Sequence, residues 1–199
     1  MFHAVCNRKV LYALSGCVLL SACQTSQQSN VSVDYYKISG NSTAALDSEI
    51  KRKGPRINGG QHAVAVARIR MIPNIAFETV RKKCRIMEAK VAVNAKVTLP
   101  QWTGRKSASA KLGEAWDNID RYTRLHEAMH VNIAFKYADE IERELEAMKP
   151  ASNCSVMRSR ANRLVDRRLK EHDKAQRDFD ANEQRQFAML ARQQKSRQQ

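Results

Sequence analysis

From Ser107 onward the apolar residues of this chain recur every three or four positions. They do so for about 80 residues, with one interruption at Pro150. That pattern limits the fold more than any other feature, because two long amphipathic helices joined by a short connection pack antiparallel. The first helix carries Trp116, Ile119, Tyr122, Met129, Ile133, Tyr137, Ile141, Leu145 and Met148 on one stripe, and His126 and His130 fall on the same stripe. The second begins near Val156 with Ala161, Val165, Leu169, His172, Gln176, Phe179, Glu183, Phe187 and Leu190 on its stripe. Beyond about Ala191 the tail "RQQKSRQQ" is expected to fray.

Upstream of Ser107 the period is two. "VSVDYYKISG" at 31–40 reads as a strand closed by Gly40. Asn41 or Ser42 then caps a short helix that Gly54-Pro55 stops. "HAVAVARIRMI" and "RIMEAKVAVNAKVTL" alternate through Val64, Val66 and Ile69 and through Val91, Val93 and Val97, as antiparallel strands do. The fold expected is a single α+β domain over residues 31–190. In it a small antiparallel β-rich N-terminal half packs on the helical hairpin.

The N-terminus bears on where such a domain works. Arg8 and Lys9 precede the eleven-residue apolar run "VLYALSGCVLL", and small residues follow in "LSAC", the order of a secretory signal. The run is too short to span a bilayer as a helix. Leu20-Ser21-Ala22-Cys23 also looks like the lipobox of bacterial lipoproteins, with 1–22 as signal peptide and Cys23 as the lipidated first residue. Simple cleavage near Ala22 is the alternative. The polar stretch at 23–30 would tether lipid to domain. The expected location is the cell envelope, facing the periplasm of a Gram-negative cell.

The formal charge is +15; cleavage takes Arg8 and Lys9 from 35 basic residues and none of 20 acidic ones, leaving +13. An exported chain with that charge has no expected nucleic-acid partner. Its class of encounter is anionic envelope material. Cys6 and Cys17 leave with the signal, so Cys84 and Cys154 remain in an oxidising compartment and read as one disulfide, with free buried thiols as the alternative.

The residues that carry chemistry are "RLHEAMH" at 124–130. On a helix, His126 and His130 stand one turn apart, about 5–6 Å between Cβ atoms, so both imidazoles can bind one zinc ion. Glu127 lies about 100° round the helix and flanks the ion, where a general base for zinc-bound water is needed. Two core-edge histidines bonded to carboxylates or carbonyls are the plain structural alternative. Catalytic zinc needs a third protein ligand, and the returning helix offers His172, Asp173, Asp180 and Glu183 in the window that faces the motif.

From about Tyr35 to Gln186 the chain resembles a bacterial family described as predicted secreted zinc-dependent proteases, otherwise of unknown function. The resemblance rests on "YYKISGNSTAALDSEIKRKGP", "VTLPQW", "LHEAMH", the cysteine after the helix and "AQRDFD". Many members carry Tyr-Asp-x-x-Thr-x-His-Gly where this chain has Phe179-Asp180-Ala181-Asn182-Glu183-Gln184-Arg185-Gln186. The aspartate matches; the threonine, histidine and glycine do not. The resemblance therefore favours Asp180 as third ligand, with His172 or Glu183 as alternatives. It also implies peptidase activity on a peptide or envelope protein, and pairs Cys84 with Cys154. The rival expectation is a non-catalytic envelope lipoprotein whose basic helix binds anionic cell-wall polymer or lipid.

Overall fold

A computed structural model describes residues 28–57 and 60–197. Cys23 and the signal segment lie outside the described residues. The elements run β1 (Asn30–Ile38), α1 (Thr43–Lys53), β2 (Val66–Val80), β3 (Lys83–Trp102), a 3-10 turn, α2 (Ala110–Glu146) and α3 (Cys154–Arg197). The class is α+β, as expected.

Local chemistry sets most boundaries. Ser42 caps α1 by accepting from the Ala45 N–H at 3.2 Å. Gly54 ends it where the chain folds back, and a Cβ there would lie 2.2 Å from the Ala63 carbonyl oxygen, which only glycine avoids. Ser109 caps α2 and accepts from the Leu112 N–H. The helix α3 continues to Arg197.

The sheet is mixed, in the order β1-β3-β2. Antiparallel pairing holds for β2 and β3, but β1 runs parallel to β3, with Asn30 opposite Asn94 and Ile38 opposite Trp102. The all-antiparallel expectation for this half is corrected here. The connection through α1 joins the end of β1 to the start of β2 at one end of the sheet, beside Trp102 and Thr98 of β3, and β2 carries the chain back to the other end, so β3 runs parallel to β1. As an edge strand β2 also tolerates Pro73, which has no N–H to give.

Odd-numbered residues of β3 form the core with the hairpin. Ala89, Val91 and Val93 pack with Ala134, Ala138, Ile141, Leu145, Ala161 and Val165, while Ala95, Val97 and Leu99 pack with Val131. The buried face of α2 thus runs Trp116, Thr123, Glu127, Val131, Ala134, Ala138, Ile141 and Leu145. It is rotated from the expected stripe: Ile119, Tyr122 and Met129 are exposed. Small side chains at 134 and 138 let the helix approach the sheet closely, and the bulkier residues are left on its flanks.

Trp102 and Trp116 pack edge to face at the other end of the core. Cys84 and Cys154 form a disulfide 70 residues apart in sequence, beside the bridge between Cys84 and Ala151. The helices are also joined by Arg168, which pairs with Glu140, Glu144 and Glu171. No helix among the described residues is long and apolar enough to cross a membrane.

Candidate metal centre

His126 and His130 stand on the flank of α2 that faces α3, both partly buried. Asp180 projects from α3 toward them. Three donor atoms converge: the two Nε2 atoms are 3.1 Å apart, and Asp180 Oδ1 lies 3.0 Å from that of His130 and 3.4 Å from that of His126. Four-coordinate zinc with bonds of about 2.0–2.2 Å holds its ligand atoms about 3.4 Å apart. This triangle has those dimensions, and the group can hold a metal ion.

Proton positions follow from the partners on the far side of each ring. His126 Nδ1 lies 2.5 Å from Glu183 Oε2, which also accepts the Tyr122 hydroxyl at 2.5 Å. Burial by itself would raise the Glu183 carboxyl, but the bonds from Tyr122 and His126 outweigh it and hold the group below its usual range. An ionised carboxylate only accepts, so His126 Nδ1 donates to Glu183, and its Nε2 is the ring atom turned toward Asp180.

The same logic fixes His130. Gln176 Nε2 donates to the His130 carbonyl oxygen at 3.0 Å, which turns Gln176 Oε1 toward His130 Nδ1 at 2.5 Å. Oε1 can only accept, so His130 Nδ1 donates, and its Nε2 is likewise the ring atom turned toward Asp180. Two Nε2 atoms and a carboxylate oxygen therefore meet at one spot. A proton shared with Asp180 or a metal ion would each hold the three together there.

The other two candidate ligands have different places. His172 is buried; its Nε2 accepts from the Gln176 amide at 2.8 Å, and its Nδ1 donates to Asp173 Oδ1 at 3.2 Å. It supports Gln176 and brings no free nitrogen to the triangle. Glu183 orients His126 from behind. The three residues whose donor atoms meet are His126, His130 and Asp180, while His172 and Glu183 are engaged with other partners. Tyr122 and Gln176 belong to the site too. Gln176 was read only as a member of the helical stripe, and its role follows from the outward turn of His130 Nδ1, which no spacing rule records.

Glu127 is 6% exposed and lines the same cleft, with the backbone of Ala67 on β2 nearby. Burial raises its carboxyl above the ordinary glutamate value; the two imidazoles and the Ala67 backbone pull the other way and do not cancel it. The cleft holds about 430 Å³, with Ala63, Ala65 and Ala67 as one wall and His172, Gln176 and Asp180 as the other. Phe179 stacks near both imidazoles, its ring 5.0 Å from that of His126 and 5.1 Å from that of His130. That ring shields one side of the triangle from water.

Fold and site together define an α+β domain whose helical hairpin presents two imidazoles and a carboxylate around a point fit for a metal ion. The chain belongs to a family of bacterial proteins of unknown function, DUF922, whose sequence model matches residues 33–187. No curated protein matches the chain. No solved structure matches it.

Proposed function

We propose that the chain is a zinc-dependent hydrolase of peptide bonds. His126, His130 and Asp180 would hold the ion, and Glu127 would take a proton from a water placed in the cleft. The convergence of two imidazole Nε2 atoms and one carboxylate oxygen within 3.4 Å carries this reading. Imidazole and carboxylate donors in a tetrahedral set with one position open favour zinc, which supplies Lewis-acid polarisation and acidifies bound water.

The chain's own residues cover the remaining needs. Glu183 and Gln176 fix both rings by their Nδ1–H groups, a support that metal-binding imidazoles commonly have. Glu127, in a cleft of low polarity and raised above the usual carboxylate range, is suited to accept a proton and return it to a leaving amine. Beside it, β2 is an edge strand, and Val66, Ala67 and Ile69 of that strand line the cleft. An extended peptide laid along that edge would pair its backbone with β2 and pass over the triangle.

The test is hydrolysis of an unfolded protein such as casein by the zinc-loaded chain. Glu127→Gln should reduce turnover by at least about a hundredfold, with zinc content and melting temperature unchanged. Equal activity in the Glu127→Gln variant would remove the general-base role and the hydrolase reading with it.

A further inference from the structure

The face of α3 turned away from the cleft carries a second pattern. Arg160, Arg163, Arg167, Lys170, Lys174 and Arg177 follow one another at alternating steps of three and four, and all are exposed. At 100° per residue these positions lie roughly opposite Val165 and Gln176, which meet the core and the cleft. The row spans about 26 Å of helix at 1.5 Å per residue. Exposed Arg185 and Arg192 continue it in the same direction, and the sequence from Gln184 to the end contains no acidic residue.

Folding pairs two of these six charges and leaves four without an ion pair among the described residues. Among the described residues, Arg167 pairs with Glu144 at 3.4 Å and with Glu171 at 3.8 Å, and Lys174 pairs with Asp178 at 2.5 Å. The other cations of the row have no ion pair within 4.0 Å. Asp166 and Asp173 border the row on one side, Glu171 and Asp178 on the other, so the cations form a strip between acidic margins. Like charges one turn apart on a helix repel by a few tenths of a kcal/mol each, so the row is a local cost that an external anion would relieve.

We propose that α3 lies along an anionic lipid surface, with the cationic strip against the headgroups. The strip is an exposed helix face, and the hollow of about 740 Å³ that Arg163, Arg167, Lys170 and Lys174 line with Asp166 and Glu171 is open to solvent. None of the strip's positions carries an aromatic side chain on which a nucleobase or sugar could stack. A long row of point charges on an open face suits a plane of anionic headgroups, each basic residue near the surface adding a small increment. Because the strip lies opposite the cleft, the metal triangle and the β2 edge face away from the bilayer. This inference is independent of the hydrolase reading and stands if no peptide is cut.

The experiment is co-sedimentation of the full chain carrying Cys23→Ser with vesicles of phosphatidylcholine alone or with added phosphatidylglycerol, at low and high salt. The account expects binding that needs the anionic lipid, weakens with salt, and drops about tenfold or more when Lys170, Lys174 and Arg177 are all changed to Gln. The matched control, Arg70→Gln with Lys82→Gln and Lys83→Gln, removes the same charge from exposed positions on the sheet and its turn. It should bind as the parent does. Binding indifferent to phosphatidylglycerol, or lost equally in both triple variants, overturns the proposal. Binding to soluble polyphosphate without binding to vesicles overturns it in favour of a linear polyanion.

Discussion

Asp180 is the residue on which the metal reading turns, since it alone brings an α3 donor to both imidazoles. Asp180→Ala should abolish tight metal binding and leave the fold intact, because the side chain is nearly half exposed and its close partners are the two rings. Glu183→Gln is the subtler change. It keeps an acceptor for His126 Nδ1 but removes the charge, and loss of such support typically costs about 10- to 100-fold in metal affinity. Metal competition with a chromophoric chelator measures both. A different residue governs the alkaline limit of stability. Tyr36 donates to the Val64 carbonyl oxygen at 2.7 Å, and burial pushes its hydroxyl up to about 12 from an ordinary 10.0. The folded chain thus keeps a proton that the unfolded chain gives up, so Tyr36 adds stability below pH 10 that is lost as pH rises toward 12. Urea unfolding across that window should show a smaller decline in Tyr36→Phe than in the parent. An equal decline would remove Tyr36 as the cause.

At the scale of elements, the helices were legible and their rotation was not. The period of three and four predicts both partners of the hairpin, and a pivot near residue 152 brings 172–183 to the histidines. The structure makes that pairing. What periodicity misses is that alanines at 134 and 138, small and easily ignored, face the sheet while Ile119, Tyr122 and Met129 do not. A sheet that packs closely selects for small residues, and a count of large apolar ones then points to the wrong face. The β2–β3 turn was hidden for a related reason. Arg81 and Lys82 both have positive φ, at 49° and 64°, in a two-residue turn where glycine or asparagine would be the usual signal. That strain is removable: Lys82→Gly should raise the unfolding free energy by about 1 kcal/mol in a denaturant titration. No change would mean that the turn relaxes the strain by other contacts.

On the scale of the whole molecule, two layers meet along β3, and the disulfide ties the sheet's β2–β3 end to the start of α3. The bridge closes a 70-residue separation. Replacing both cysteines by serine should cost about 2–4 kcal/mol, as other single bridges do, and loosen the register that places Asp180 over the histidines. The class of fold and both cysteines were readable from the chain. The parallel entry of β1 was not, because alternation marks a strand without giving its direction. The histidine pair and Glu127 were fixed by spacing, whereas the choice among His172, Asp180 and Glu183 needed coordinates. All three lie on the same helical segment, and only their partners separate them. The second layer of the site, Tyr122 and Gln176, has no sequence signal of its own.

The most direct measurement is elemental analysis of the purified chain after dialysis against zinc, beside His126→Ala, Asp180→Ala and Glu127→Gln. The account predicts one zinc ion per chain in the parent and in Glu127→Gln, and none retained in the other two. A parent without zinc, or variants at 126 and 180 that keep it, would contradict the site.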